Sequence, residues 1–408
     1  MKVFLLQEII PSYRVPVFRR LARLDGVDLI VFYSRPSRKA LRENLQNSGN
    51  IQGFRHRKIG LWEIGSCAYQ FGMVWRVLIA RPQVVIAGGG RCLDRLMLLL
   101  LCRLRGTRIL WFWGGVPYRD EKQIREYANL GRLNRWLGKY NPKRLLMRQA
   151  DGLIAYSEHA KRYYIREGFS EKNIWVASNA PDTEALSGYR DEWLGRQEEL
   201  DAARKRFTPE GGGIIFLLGR LNHDRKADVL LRALQRIRDQ GLVASLVIVG
   251  DGADRQRLEK MTAELGLQRV FFEGAIYDER VLSKYFMIAD VFVVPGVSSL
   301  AIKMAMSFGT PVITVDFGLE VHDVEEGVNG FIVPMNDVDA LAEKIRLLLS
   351  SEELRQRIGN SGFLTIRDRI NIGRMIEGFR QAIFSEPPHP ATDLEDGGTD
   401  SCRQHNER

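Results

Sequence analysis

Short apolar runs alternate with amphipathic segments along the chain, and this rhythm is typical of a parallel α/β architecture. In the first half, the apolar runs predict buried strands at residues 2–6, 29–33, 84–87, 108–113 and 153–156. Pro16 suits the start of a helix, because Phe18 and Leu21 follow it on one helical face. The sequence therefore opens with a strand–helix–strand order.

The most apolar run covers residues 96–102 (LMLLLLC) and is flanked by Arg95 and Arg103. It falls far short of the roughly 20 apolar residues that a membrane-spanning helix needs. Two interpretations remain for this run. It is either a helix packed on a sheet, which the flanking strands favour, or an element inserted into a membrane.

The strand–helix rhythm lapses between residues 181 and 213, where a polar stretch ends in three glycines. A second cycle of predicted strands then covers residues 214–218, 246–249, 270–272, 291–294 and 312–315. We therefore predict two Rossmann-like α/β domains whose parallel sheets face a cleft, where such sheets bind ligands at their strand C-termini. The predicted division is a first domain at 1–185, an interdomain segment at 186–213, a second domain at 214–365, a C-terminal helix at 366–384 that packs back on the first domain, and a disordered tail at 385–408.

Charge is divided unevenly between the two halves. The 408 residues are 45% hydrophobic and 27% charged, which excludes a wholly disordered chain. Residues 1–150 carry 28 Lys and Arg against 9 Asp and Glu, a net charge of +19, whereas the remainder carries 32 against 41, a net charge of −9. A basic first half indicates an anionic partner, which could be nucleic acid, a membrane surface or a phosphorylated substrate.

Several common site patterns are missing from the sequence. There is no GxxxxGK[ST] P-loop, no HExxH pair and no GxSxG elbow, and the four cysteines lack metal spacing, so we expect neither a metal nor a cofactor. Gly88-Gly89-Gly90 and Gly250-Asp251-Gly252 follow strands without GxGxxG spacing, which favours tight turns over a dinucleotide fingerprint. The apolar start stops at Gln7 and is too short for a signal peptide, so we expect a reduced, cytoplasmic protein.

Cations cluster where the predicted strand at 214–218 ends. Gly219 and Arg220 come first, and Arg225 and Lys226 follow just before a predicted helix. Guanidinium groups bind phosphate oxygens in bidentate fashion, so these cations form a candidate diphosphate clamp. The alternative is that Arg225 and Lys226 are solvated, although they would then lie unfavourably at the positive end of the helix dipole.

A second candidate anion site follows the predicted strand at 291–294. Gly296 leads into a predicted helix that begins near Ser298 and Ser299 and ends before Gly309. The free N–H groups at such a helix start bind anions. Ordinary N-capping by serine explains the same residues, and the two interpretations are compatible.

The second half contains the segments GRL from Gly219, DVLL from Asp228, LVIVGDGADRQRLE from Leu246, FFEGAIYDERVLSKYFMIADVFVVPG from Phe271 and SFGTPVITV from Ser307. These segments resemble the family 4 glycosyltransferases, which have the GT-B fold. The resemblance covers nearly all of residues 1–380 and is looser before Asp151. It implies transfer of a sugar from a nucleoside diphosphate-sugar, with retention at the anomeric carbon and no metal.

The resemblance also assigns roles to individual residues. Arg220 would contact the donor diphosphate, and Arg225 or Lys226 would neutralise the leaving nucleoside diphosphate, so these three are the predicted catalytic residues. The resemblance also predicts the donor-binding residues. Gly219 lies at the end of the first strand of the second domain, and Gly274, Ala275 and Ile276 lie beside the base. Val297, Ser298, Ser299 and Leu300 lie beside the diphosphate.

One departure from the family concerns two glutamates that its members carry eight residues apart, where this sequence has Gly296 and Met304. The predicted function is a glycosyltransferase that builds a cell-surface polysaccharide or glycolipid. Because both carboxylates are absent, two alternatives stay open. They are a catalytically silent nucleotide-sugar-binding homologue and another GT-B sugar-nucleotide enzyme, such as an epimerase.

The basic first half fits an acceptor that is held at a membrane. Residues 119–148 interleave cations with Tyr127, Trp136 and Tyr140, which indicates either a basic surface that lies on anionic lipid or a core-facing helix with a solvated outer face. We expect a glycan or lipid-linked acceptor and peripheral attachment to the inner face of the membrane. Nucleic acid is not expected, because no nucleic-acid-binding module is visible.

Overall fold

The computed structural model describes residues 1–38, 47–64, 67–70, 72–88, 92–113, 148–297, 300–318 and 320–386. The chain forms two α/β domains, and each is built on a parallel sheet. Alternate residues of the first strand lie on opposite faces of its sheet, with Val3 and Leu5 in one apolar cluster and Phe4 and Leu6 in another. Strands buried on both faces explain the continuous apolar runs in the sequence.

The first sheet runs through the middle of the first domain. Its strands are β1 (Lys2–Leu6), β2 (Asp28–Tyr33), β3 (Arg55–Lys58), β6 (Val84–Gly88), β7 (Arg108–Trp113), β8 (Gly152–Ala155) and β9 (Ile174–Val176), in the order β3-β2-β1-β6-β7-β8-β9. A separate antiparallel hairpin joins β4 (Trp62–Ile64) to β5 (Cys67–Tyr69). The described helices of this domain are α1 (Val15–Leu21), α2 (Gly72–Ala80), α3 (Cys92–Leu104) and α4 (Glu158–Arg166).

The second sheet repeats this architecture. Its strands are β10 (Gly213–Leu218), β11 (Ala244–Val249), β12 (Val270–Gly274), β13 (Val291–Val294), β14 (Val312–Val315) and β15 (Phe331–Val333), in the order β12-β11-β10-β13-β14-β15. The helices around it are α7 (Ala227–Asp239), α8 (Arg255–Glu264), α9 (Glu279–Ile288), α10 (Ala301–Phe308), α11 (Val338–Ser350) and α12 (Glu352–Asp368). Two Rossmann-like domains with parallel sheets are therefore confirmed.

Residues 186–213, predicted to be a polar interdomain segment, are largely helical. They fall within α5 (Thr183–Leu194) and α6 (Gln197–Phe207) and then enter β10. Leu186, Trp193 and Phe207 are buried in an apolar cluster of the second domain. In each of the two helices the widely spaced apolar residues lie on one face and the remaining positions are polar. This spacing explains why the sequence of the stretch looks polar.

The chain ends by returning to the first domain. The predicted final helix is divided, because α12 ends at Asp368 and a last helix, α13 (Ile372–Phe384), begins after Asn371, whose side chain caps it. Phe379 and Ile383 of α13 are fully buried in the apolar cluster that contains Val3 and Leu5. The first domain is therefore completed by residues from the far end of the chain.

The apolar run at 96–102 lies within α3. Leu98, Leu99 and Cys102 pack against the first sheet, as the helix-on-sheet interpretation predicts, whereas Leu96 and Leu100 are exposed. In the described part of the chain, no helix combines the length and apolar content needed to cross a bilayer.

Candidate functional site

A cavity of about 610 Å³ lies at the C-terminal ends of β10, β11 and β12. Its volume falls in the range typical of small-molecule sites. Gly274 is next to the cavity, where its carbonyl accepts the N–H of Gly250 at 2.7 Å. Five of the residues predicted from the sequence line the cavity: Gly219, Arg220, Arg225, Ala275 and Ile276.

Glycines allow the loops around this cavity to approach one another closely. A Cβ on Gly250 would overlap the carbonyl oxygen of Gly219, and Gly250 also has a φ of 152°, which L-residues rarely adopt. A Cβ on Gly252 would likewise overlap the carbonyl oxygen of Leu221. The glycines at 250 and 252 therefore allow this loop to pack directly on the loop that follows β10.

Arg225 brings a partly buried positive charge to the cavity wall. Its Nη1 donates a hydrogen bond to the backbone carbonyl of Val297 at 2.6 Å. Burial lowers the pKa of the Arg225 guanidinium below its usual value, repulsion from Arg220 lowers that pKa further, and Glu320 opposes the change. Two guanidinium groups on one cavity wall suit an anionic ligand, since each can donate hydrogen bonds to its oxygens.

Lys226 is placed differently from the two arginines. Its backbone takes the left-handed conformation, with a φ of 52°, at the start of α7. Its Nζ lies 3.3 Å from Nε2 of His223 at an exposed position. Lys226 is not among the described residues that line the cavity, so its role in neutralising a leaving group stays a prediction.

Gly296 occupies one of the two positions where the resembled family has glutamate, and its surroundings leave no room for a side chain. A Cβ on Gly296 would overlap the carbonyl oxygen of Asp224 and lie 2.6 Å from the carbonyl carbon of Arg225. The loop after β13 therefore packs directly on the turn that positions Arg225. This packing therefore requires glycine at position 296 and excludes a glutamate there.

The contact of Val297 with a diphosphate stays a prediction. In this structure its N–H donates to the Asp224 carbonyl at 3.1 Å, and its carbonyl accepts from Arg225. Both backbone groups therefore hold the arginine in place. Leu300 directly precedes α10, as the sequence predicts for a residue near the helix start, whereas Ser298 and Ser299 lie outside the described residues.

Lys303 of α10 is a buried lysine for which the sequence predicts no role. Only 2% of its side chain is exposed, and its Nζ forms an ion pair with Oδ2 of Asp323 at 3.0 Å. The same Nζ donates to the backbone carbonyl of Asn179. Asn179 lies between β9 and α5, where the chain passes from the first domain to the second, and we call residues 177–182 the interdomain link. The adjacent Met304, at the second glutamate position of the family, packs against the apolar core. Lys303 therefore ties α10 to the interdomain link.

A second cavity of about 590 Å³ lies between the domains and is lined by residues of both. Inside it, the rings of His159 and His322 stack with their centroids 3.5 Å apart. Burial lowers the pKa of His159 to about 4, with a further contribution from His322, and burial also lowers the pKa of His322. Among the described residues, no group of three or more His, Cys, Asp or Glu side chains could hold a metal ion.

Comparison with known proteins shows similarity to glycosyltransferases. Residues 198–364 match the family described as Glycosyl transferases group 1, and this range contains the cavity that Arg220 and Arg225 line. The lipopolysaccharide core biosynthesis glycosyltransferase LpsE of Rhizobium meliloti is 24% identical over 303 residues, which cover 72% of this chain and 82% of LpsE. An uncharacterized glycosyltransferase of Methanocaldococcus jannaschii is 30% identical over 172 residues, which cover 41% of this chain and 44% of that relative.

Among solved structures, HepE of Anabaena in complex with UDP superposes on this chain with a TM-score of 0.66. The two chains are 16% identical, and the superposition covers 94% of this chain and 99% of HepE. At that identity the similarity concerns the fold. It confirms that the two domains form the GT-B arrangement predicted from the sequence.

Proposed function

We propose that the protein transfers a sugar from a nucleoside diphosphate-sugar, because residues 198–364 match the Glycosyl transferases group 1 family and the chain shares the fold of a solved glycosyltransferase of Rickettsia africae. The acceptor in this proposal is a glycan or a lipid-linked glycan. Transfer retains the configuration at the anomeric carbon, as the resemblance to family 4 implies.

The observation that carries the proposal is the placement of Arg220 and Arg225 in one cavity at the C-terminal edge of the second sheet. Such an edge is where open parallel sheets bind their ligands. Burial and repulsion from Arg220 both disfavour the positive charge of Arg225, whose pKa is lowered. A donor diphosphate would offset both effects.

The same pair can act on the reaction. Negative charge grows on the diphosphate as its bond to the sugar breaks, so Arg220 and Arg225 stabilise the transition state more than the ground state. A positioned donor of this kind contributes about 3 kcal/mol. The acceptor hydroxyl passes its proton to the departing phosphate, which requires no separate general base. No metal takes part in the proposed reaction.

The proposed acceptor side is the basic first domain, and the proposed setting is the cytoplasmic face of a membrane. LpsE, which aligns over most of its length, is named for lipopolysaccharide core biosynthesis, and this supports a cell-surface polysaccharide or glycolipid pathway. Residues 119–148 remain part of the proposal as a surface for anionic lipid, although residues 119–147 lie outside the described part of the chain.

One alternative has a specific observation in its favour. Gly296 and Met304 replace two glutamates, and the first position cannot accept a side chain without moving the Arg225 turn. A homologue that binds nucleotide-sugars without transferring them would show the same features. The two functions differ in turnover and agree in donor binding.

The test has two stages. Nucleoside diphosphate-sugars with different bases are first screened for their ability to raise the melting temperature. Each donor that binds is then assayed for nucleotide release with and without glycan and glycolipid acceptors. Acceptor-dependent release supports the transferase, binding without release on every acceptor supports the silent homologue, and absence of binding to every donor contradicts both.

A further inference from the structure

The outer surfaces of α2 and α3 expose large apolar side chains. Trp75 is 65% exposed, Ile79 is 76% exposed and Leu104 is 83% exposed. Scattered single apolar residues are normal on protein surfaces, whereas a group on adjacent helices marks an interaction site. We call this group the α2–α3 face, and its members are Trp75, Ile79, Leu96, Met97, Leu100 and Leu104.

The two helices present these side chains on the same side of the first domain. Met73 and Val77 of α2 and Leu98 and Leu99 of α3 are buried in one apolar cluster, on one face of the first sheet. The helices also pack against each other. Because each helix buries its inner side in the same layer, their exposed sides point outwards together. Helical spacing explains the pattern, since the exposed positions recur every three or four residues.

Arginines surround this apolar surface, and exposed acids are absent from the same two segments. Arg76, Arg81, Arg103 and Arg105 are all exposed. Within the described residues 72–81 and 92–106, the single acidic residue is Asp94, which is buried beside Arg95 at 3.3 Å. The exposed charges of these segments are therefore all positive.

We propose that the α2–α3 face docks onto a membrane surface that contains anionic phospholipids. Apolar side chains enter the boundary between headgroups and acyl chains, and the arginines contact lipid phosphates. Trp75 suits this boundary, because an indole ring combines a large apolar body with one polar N–H. The α2–α3 face thus offers apolar anchors and positive charges, the two components of stable peripheral membrane binding.

Charge argues against a second copy of this chain as the occupant. A twofold dimer would place the same face against itself and would bring the arginine rims of both copies together. Such like-charge contact opposes association. An anionic bilayer, in contrast, supplies phosphate to every arginine of the rim.

The position of α3 connects the face to the cleft side of the first sheet. The helix follows β6, so its first turns lie near the C-terminal edge of the sheet and Leu104 lies towards the opposite edge. A membrane on the α2–α3 face therefore runs past the edge where parallel sheets bind ligands. Vesicle binding requires neither donor nor acceptor, so it tests the face separately from sugar transfer.

The experiment measures co-sedimentation of the full chain with two kinds of vesicle, phosphatidylcholine alone and an equimolar mixture with phosphatidylglycerol. We expect binding to the anionic vesicles that falls as salt rises. The variant Trp75→Ser/Leu100→Ser should bind roughly tenfold less or weaker still, because it removes two apolar anchors. The variant Arg76→Gln/Arg103→Gln should lose about fivefold for each arginine at low salt and should retain less salt dependence.

The matched control is Leu194→Ser/Val243→Ser, which removes two apolar side chains that are about half exposed on the second domain. This control should bind vesicles like the unmodified chain. Melting curves and donor-induced stabilisation show whether each variant is folded. The proposal would be overturned if the unmodified chain did not bind anionic vesicles. It would also be overturned if the control lost as much binding as the α2–α3 variants, or if those variants were folded and bound vesicles like the unmodified chain. A change of the face variant from dimer to monomer without vesicles would assign the face to a second copy instead.

Discussion

His159 of the first domain stacks on His322 of the second, with ring planes only 10° from parallel. The contact joins two residues that are far apart in sequence and belong to different domains. Burial lowers the pKa of both rings, and His322, Arg162 and Arg166 lower the pKa of His159 further, whereas Asp323 and Asp316 oppose the change at His322. Because the net shift is downward for both rings, the stack is most stable when both are neutral.

Acidification should loosen this contact between the domains. The pKa of His159 falls from an ordinary 6.5 to about 4 in the stack, so the stacked form binds fewer protons than the separated form. The contribution of the stack is complete above pH 6.5 and is lost as the pH falls from 6.5 towards 4. Small-angle scattering across that range should show a growing radius of gyration. A His159→Phe/His322→Phe variant, which keeps a ring pair without titration, should lose most of the change, and an equal change in both proteins would refute the explanation.

Removal of the Arg225 guanidinium should impair turnover strongly. Arg225→Ala should lower kcat by roughly a hundredfold or more, because a positioned charge that stabilises the leaving group is lost. Arg220→Ala should lower turnover by at least about tenfold for the same reason. The control is Arg236→Ala, which removes an exposed ion pair with Asp339 on the same domain and should leave kcat within about twofold. Steady-state kinetics with the donor found in the screen provide the measurement.

Gly296→Ala should disturb the Arg225 turn, because the new methyl group would overlap the Asp224 carbonyl. We expect a loss of about 1–3 kcal/mol of unfolding free energy and weaker donor binding. Gly188→Ala is the control, since Gly188 lies in α5 with open space at its Cβ position, and alanine there should raise stability by about 0.5–1 kcal/mol. Urea unfolding and donor titration of both variants test the contrast, and a Gly296→Ala protein as stable as the control would contradict the packing.

Lys303→Met should destabilise the protein by about 3–5 kcal/mol, because it leaves the Asp323 carboxylate in a buried position without its cation. The double variant Lys303→Met/Asp323→Leu removes both charges and should recover much of that loss. Urea unfolding of the two variants and the unmodified chain measures the difference. If the double variant were as unstable as the single one, the ion pair would not be the source of the effect.

The predictable part of the fold follows the apolar runs. Strands such as β1 and β7 are found where they are predicted, because both faces of a central parallel strand are buried. β3 (RHRK) carries no apolar residue, lies at the sheet edge and is exposed throughout, so hydrophobic patterning gives no sign of it. β9 and β15 have three residues each, too few for a pattern.

The candidate site likewise contains some residues that the sequence predicts and others that it does not. Arg220 and Arg225 are predictable, because they lie next to a recognisable strand end and a glycine turn. Lys303 is not, since a lysine in an apolar helix gives no indication that its amine reaches the interdomain link. The stack of His159 on His322 depends on how the two domains meet, which no local pattern encodes.

The return of α13 to the first domain has a consequence for the order of synthesis. Gly378 packs so closely on Val176 of β9 that a Cβ would overlap the Val176 carbonyl, and Arg108 of β7 donates to the Ile383 carbonyl at 3.1 Å. A ribosome completes every strand of the second domain before it makes these partners. The first domain to be translated is therefore the last to close its core, and a nascent chain that stops short of α13 leaves that core open to solvent and to chaperones.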